Sequence, residues 1–258
     1  MSGSGAAGRC TGARPEEHWL YPVSVSREHP QLPLGLALRD SARFESYYAG
    51  NNDEVVAALR AVAQGDGDSP VFIAGQTGLG KSHLLQAACR AAAQHGLTTA
   101  YLPLQELHAM SAEVLDGLEH MQLVCVDDID AIAGQDAWET AVFDLFNRMR
   151  AAGNALLFAA ACKPAECGLA LPDLVTRLGW GPVFTLKPLD ESRLQAALGL
   201  RARGRGLELP DDTAQFLLKR IPRDLPSVFD LFDRLDEASM IEQRRLTIPF
   251  VKSVLGIS

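Results

Sequence analysis

Four apolar residues run into a glycine-rich loop over residues 71–82, VFIAGQTGLGKS, and the loop ends in Lys81 and Ser82. Gly75, Gln76, Thr77, Gly78, Leu79, Gly80, Lys81 and Ser82 match the pattern GxxxxGK[ST] at every fixed position, with Gly78 as an additional glycine. Glycines let backbone N–H groups turn inward around phosphate oxygens. Lys81 supplies a positive charge to the β- and γ-phosphates of a nucleotide, and the Ser82 hydroxyl can hold Mg²⁺. A helix expected over residues 80–94 aims the positive end of its dipole at the same anion. The plain alternative is a glycine-rich turn that binds nothing. The sequence supplies the context the motif needs, a strand before it and a helix after it.

A second group of chemical residues closes the apolar run QLVCVDD, residues 122–128, about 45 residues beyond the loop. Asp127 is placed to hold Mg²⁺ directly or through water, and Asp128 to polarise an attacking water. Alone, such a strand end is common; behind a full phosphate loop it forms the other half of a nucleotide site.

The elements that must hold these groups alternate. Strands are expected over 71–74, 97–102, 122–128, 155–161 and 183–186. Helices are expected over 53–63 with Asn52 as N-cap, over 80–94, 111–119 and 137–151, with a short helix and turn in 172–181. In the helix over 137–151, Trp138, Val142, Leu145, Phe146 and Met149 share an apolar face, with Arg148 and Arg150 outside it. Strands and helices alternating at this spacing predict an α/β core, a five-stranded parallel sheet covered by helices, with its ligand at the carboxyl ends of the strands. From Asp190 on, only helices are expected, over 191–203, 211–220, 225–243 and 248–255, which make a small all-helical lid. Phe44, Tyr47 and Tyr48, just ahead of the loop, suit either the wall of an adenine pocket or the core.

Composition narrows the classes of function. A formal charge of −8 over 258 residues argues against a protein that coats DNA, which needs clustered Lys and Arg. No run approaches the roughly 20 apolar residues of a membrane span. Five cysteines, Cys10, Cys89, Cys125, Cys162 and Cys167, are odd in number, and two fall in predicted buried elements. A disulfide framework is therefore not expected, and a reducing cytoplasm fits. Cys162 and Cys167 have no Cys or His pair nearby to complete a metal site. Residues 1–30, rich in Gly, Ala, Ser and Arg, are expected to be a disordered tail, and a start site read too far upstream would account for them. Residues 31–36, QLPLGL, read either as a first strand or turn, or as a linear peptide that places Gln31, Leu32, Leu34 and Leu36 in a partner's apolar pocket.

An α/β core with this loop, an Asp-Asp strand end and a helical lid resembles the AAA+ ATPases. The stretches GQTGLGKSHLLQAA, LVCVDDID, LVTRLGWG and RRLTIPFVKSVL are similar to the DnaA-related regulatory inactivators of the replication initiator DnaA, and the likeness runs over residues 31–258. The resemblance implies a domain plan: tail 1–30, clamp-binding peptide 31–36, nucleotide-binding core 37–188 and lid 189–258. It implies that Gln31, Leu32, Leu34 and Leu36 bind the DNA polymerase sliding clamp and that residues 75–82 hold ADP or ATP, with Ser82 and Asp127 on Mg²⁺. Arg177 matches an arginine finger inserted into a neighbouring subunit's site. A surface salt bridge is the alternative role for Arg177. Arg223 matches a lid arginine that senses nucleotide, against an ordinary charge at a helix start. DnaA would be the protein partner; monomer and homodimer are both compatible. Sequence-specific DNA binding is not expected, because no room remains for DnaA's C-terminal helix-turn-helix domain.

One departure bears on catalysis. AAA+ ATPases usually place a polar residue at the end of the strand that here reads AAACKP, so Cys162 or nothing fills that role and intrinsic hydrolysis is expected to be slow. Two other functions compete: a motor or helicase loader that turns over its own ATP on single-stranded DNA, and a small-molecule kinase. The acidic charge counts against the first. The scattered lid arginines and an unexplained clamp-like peptide count against the second.

Overall fold

Four consecutive buried residues in Val71–Ala74 and five in Leu123–Asp127 leave neither run a polar face to turn to water, so both must be covered on two sides. In the computed structural model, which describes residues 38, 42–67, 69–204, 206–219, 232, 234–235, 238 and 246–256, they form β1 and β3 of one sheet. The other strands are β2 (Thr99–Pro103), β4 (Ala155–Ala160) and β5 (Val183–Thr185), in the order β2-β3-β4-β1-β5 with every pair parallel. The five-stranded parallel sheet expected from the sequence is present.

Register decides what shares the rim. Ala74 pairs with Ala160 and Val126 with Phe158, so the carboxyl ends of β1, β4 and β3 lie side by side. The turn after β1, residues 161 and 162 after β4, and Asp127–Asp128 at β3 therefore open on one edge of the sheet, where open α/β sheets bind ligands.

The helices whose bounds lie among the described residues are α1 (Asp53–Ala63), α2 (Lys81–Gln94), α3 (Leu104–Leu107), α4 (Asp136–Ala151), α5 (Pro172–Leu178), α6 (Glu191–Gly204), α7 (Asp211–Leu218) and α8 (Ile248–Leu255). Successive residues of β1 feed opposite layers. Ile73 joins Val55 and Leu59 of α1 and Leu84 and Leu85 of α2, whereas Phe72 joins Val142 and Phe146 of α4 and Leu174 of α5. Phe146 stacks on Phe158 of β4, ring centres 6.3 Å apart, which locks α4 to the sheet beneath it. A third cluster, including Leu198, Leu217, Phe232, Leu235 and Phe250, gives the lid its own core. Among the described residues, no helix is long and apolar enough to cross a membrane.

Three local expectations need correction. Residues 111–119 do not form one helix. They form two 3-10 turns, Ala112–Leu115 and Leu118–His120, parted at Gly117, whose φ of 81° breaks the helical run. Arg148 of α4 fixes both turns, donating to Leu115 O at 3.2 Å and to the Glu119 carboxylate at 3.1 Å. The second strand starts at Thr99 rather than 97, because the Leu97 N–H turns back to Ala92 O to close α2. Asn52 occupies the N-cap position of α1 but its side chain does not cap. Buried, it donates Nδ2 to Lys187 O at 3.0 Å and accepts from Lys187 N at 2.8 Å, joining the start of α1 to the chain leaving β5. Most of the helix expected over 225–243 lies outside the described residues.

Candidate nucleotide site and arginine patch

The helix needed behind the loop begins at Lys81, with Gly80 as its N-cap at φ 90°. Glycine is required there twice over. Its φ lies in the left-handed region, and a Cβ would sit 2.7 Å from Cε2 of Tyr47. Tyr47 covers the loop and donates its hydroxyl to Leu79 O at 3.2 Å; burial pushes that hydroxyl's pKa up to about 12, so it stays a donor. Lys81 is buried, and its ammonium donates to Gly75 O at 2.8 Å and Gln76 O at 3.3 Å. The charge is thus held inside the curve of residues 75–82, where an anion would replace carbonyl partners with phosphate oxygens. Phe44, by contrast, belongs to the core between α1 and α2, beneath the Arg60 guanidinium at 4.8 Å. Tyr48 is half-buried.

At the end of β3, Asp127 is almost fully buried. Its Oδ2 accepts from the Tyr101 hydroxyl at 2.7 Å and its Oδ1 from Asp128 N at 3.1 Å. Ser82 and Gln86 lie near the same hydroxyl, so Tyr101 of β2 neighbours both residues expected to hold Mg²⁺. Burial, with the Asp127 charge second, raises the Tyr101 hydroxyl far above its ordinary range and keeps it protonated. The sequence offered only a β-strand tyrosine here, and nothing in local spacing signalled its contact with Asp127. Hydroxyl and carboxylate oxygens are hard donors that suit Mg²⁺, and each Asp127 oxygen keeps lone pairs free, so the donor set fits that ion.

Asp128 has φ 53° and ψ 50°, the left-handed region that Asp tolerates better than most residues but still at a cost. The twist turns the chain into the 3-10 turn Ile129–Ile132. Burial first, then the charges of Asp127, Asp130 and Glu106, push the Asp128 carboxyl up to about 6, and the Lys81 ammonium opposes them. A carboxyl that titrates this close to neutrality can accept a proton as well as orient a water.

Arg177 sits elsewhere, in the last turn of α5 on the face of α4. Its guanidinium lies 3.8 Å from the Trp180 ring centre and 5.9 Å from that of Phe143. Arg150 lies over the same indole at 4.2 Å, and Phe146 meets it edge-on at 6.0 Å. Trp180 is nevertheless 46% exposed. Among the described residues, neither Arg150 nor Arg177 forms a salt bridge. The expected ion-pair alternative for Arg177 is replaced by stacking, which holds a cation without neutralising it. What anchors α5 is Glu139, a buried carboxylate missed in the sequence. It accepts from Gly134 N at 2.7 Å, Ala170 N at 3.0 Å and Leu171 N at 2.7 Å, fixing the approach to α5.

After β4, Cys162 does not offer its thiol to the rim. It donates to Cys167 Sγ at 3.1 Å, while the neighbouring Ala161 N–H is taken by Asp130 at 3.2 Å. Gln31, Leu32, Leu34, Leu36 and Arg223 lie outside the described residues.

Two family profiles match the chain. Residues 38–185 match the bacterial DnaA ATPase domain, and residues 190–255 match the lid domain of Hda. Among solved structures, domain III of the Thermotoga maritima replication initiation protein DnaA superposes with TM-score 0.74 at 21% identity, over 84% of this chain and 96% of that one. AMPPCP-bound DnaA from Aquifex aeolicus gives 0.67 at 21% identity, over 80% and 68%. The Thermotoga maritima RuvB Holliday junction branch migration motor gives 0.56 at 18% identity, over 83% and 73%. These identities establish the fold, and the profile over more than half of the chain establishes the family. With its five-stranded parallel core, helical lid and complete phosphate loop, this chain belongs to the bacterial DnaA ATPase-domain family as an Hda/DnaA-like AAA+ protein.

Proposed function

We propose that the protein regulates the initiation of chromosome replication by stimulating ATP hydrolysis on DnaA. In this scheme residues 75–82 bind ADP or ATP, and Ser82 and Asp127 would hold Mg²⁺, which would neutralise phosphate charge. Arg223 reads the nucleotide from the lid, and Gln31, Leu32, Leu34 and Leu36 engage the DNA polymerase sliding clamp. Arg177 reaches into the DnaA site. A guanidinium supplied from outside stabilises charge that develops on the transferring phosphoryl group and is worth about 10³ to 10⁵ in rate. The product is the ADP form of DnaA.

The observation that carries this reading is the state of Arg177. A guanidinium that met its own phosphate loop would contact that loop, and a structural one would be spent on a carboxylate. Among the described residues its partners are instead Trp180 and Phe143, beside an exposed edge. The protein's own hydrolysis is slow in this scheme, because the thiol after β4 is turned toward Cys167 rather than toward a water at the rim.

The deciding measurement is phosphate release from ATP-loaded DnaA in the presence of DNA-loaded clamp, with wild type and with Arg177→Ala. Wild type accelerates release, and the variant folds, binds ATP and leaves DnaA at its unstimulated rate. Full stimulation by the variant overturns the finger role. Gln31→Ala together with Leu32→Ala abolishes clamp binding while ATP affinity holds; unchanged clamp affinity removes that assignment.

A further inference from the structure

In the function proposed above the Cys162 thiol enters only as a group turned away from the rim, and neither it nor the Cys167 thiol carries any chemistry there. Cys162 follows β4 by two residues and is partly buried. Cys167 is buried at the end of the 3-10 turn Pro164–Glu166. That turn folds the chain back so that the two sulfurs meet at 3.1 Å. Cys167 Sγ also donates toward Cys162 O at 3.4 Å and Lys163 O at 3.2 Å. Two thiols that already touch need little backbone movement to bond. Among the described residues, no third Cys, His, Asp or Glu completes a metal site around them.

We propose that Cys162 and Cys167 are a reversible dithiol–disulfide modification site whose oxidant is a hydroperoxide and whose reductant is a dithiol. The Cys162 sulfur, the more accessible of the two, attacks the peroxide oxygen. The O–O bond breaks, the S–O bond of a sulfenic acid forms, and the thiol proton leaves with the departing alkoxide or hydroxide as alcohol or water. Cys167 sulfur then attacks the sulfenic sulfur; the S–S bond forms, the S–O bond breaks, and the hydroxyl leaves as water with the Cys167 proton. Two thiols are oxidised by two electrons and one peroxide is reduced. Burial and the neighbouring Cys162 hold the Cys167 thiol well above its ordinary pKa, so it suits the resolving role better than the attacking one. Exchange with an external dithiol restores both thiols. The bond would tie the residues beyond β4 into a six-residue ring beside Asp130, at the same rim as Asp127 and Asp128.

Cys89 and Cys125 form a built-in comparison. Both are fully buried between α2 and the sheet, out of reach of the oxidant. The test treats the full-length protein with hydrogen peroxide, alkylates it without reduction, and maps tryptic peptides. Residues 151–177 fall in a single peptide, since the Lys163–Pro164 bond resists trypsin. The expected result is that this peptide loses two hydrogens and escapes alkylation, dithiothreitol restores alkylation at both cysteines, and a Cys167→Ser variant accumulates sulfenic acid on Cys162. Two free, alkylated thiols in the peroxide-treated wild type, or Cys162 passing directly to sulfinic acid there, overturn the proposal. The wild-type peptide carries its own readout, so the result does not depend on how well the serine variant folds.

Discussion

Two charged regions of this molecule are built on opposite plans. At the rim of β1 and β3, two charges are drawn inward and met by partners: Lys81 by two loop carbonyls, Asp127 by Tyr101 and a backbone N–H. At the α4–α5 face, Arg150 and Arg177 lie on an exposed indole and keep their charge. The first plan fixes geometry before a ligand arrives and sacrifices stability to do so, as the twisted backbone and raised carboxyl of Asp128 testify. The second keeps a cation oriented without satisfying it, so an anion brought from outside meets little competition. Preorganisation thus takes two forms here, a closed hydrogen-bonded cradle and an open stacked one.

Four substitutions break or sharpen that contrast. Glu139→Ala has the largest expected effect. It strips a buried, charged acceptor from three backbone N–H groups and lowers unfolding free energy by about 3 kcal/mol in urea titration, and the proposed stimulation of DnaA falls with it. An unchanged midpoint would mean that α5 is not anchored there. Tyr101→Phe removes the donor to Asp127 while leaving the ring; Mg²⁺-dependent ATP affinity weakens about tenfold, whereas ATP affinity without the metal changes little.

Trp180→Leu tests the open cradle. An exposed cation–π contact is worth about 0.5–1 kcal/mol, so stimulated phosphate release drops roughly two- to fivefold with no loss of ATP binding, and Trp180→Phe recovers most of it. In an Arg177→Ala background the Trp180 change has no further effect, because the two residues act as one unit.

The smallest effect belongs to Asp128→Asn and appears through pH. The Asp128 carboxyl titrates higher in the folded chain than its ordinary 3.8, so the folded state binds its proton more tightly than the unfolded chain does. The wild type therefore loses stability as pH rises from about 4 through about 6, and asparagine, which never ionises, escapes that loss. In the nucleotide-free and metal-free protein the variant is close to wild type at pH 4. It becomes more stable above pH 6, by on the order of 1 kcal/mol or less once solvent screening of a half-exposed group is allowed for. A difference independent of pH would assign the gain to relief of backbone strain alone.

The division between what the sequence disclosed and what it hid follows sequence distance. The glycine-rich loop was legible because its motif and its turn reside in eight consecutive residues, and the strand ending in Asp127 because burial on both faces writes a continuous apolar run. The apolar face of α4 was legible through its helical period. Tyr101, Glu139 and Asn52 were not, because each acts on a partner 26 to 135 residues away. Asn52 shows the limit most clearly: its local pattern is that of a helix cap, and a distant backbone took the side chain instead. Arg177 lies between these cases. Its motif singled it out, but the stacking that holds it depends on α4 and α5 meeting face to face. The mistaken helix over 111–119 failed for a local reason, a single glycine at positive φ.

The paired bonds between Asn52 and Lys187 bear on the order of events at the ribosome. The amide is buried near the beginning of the core and its partner arrives 135 residues later, after β5. A nascent chain that has exposed only β1 to β4 lacks both partners of that amide and leaves open the edge of β1 where β5 will pair. The core therefore becomes self-sufficient only when Lys187 has left the exit tunnel, and a transcript cut shortly before that codon yields a chain prone to edge pairing rather than a smaller working domain.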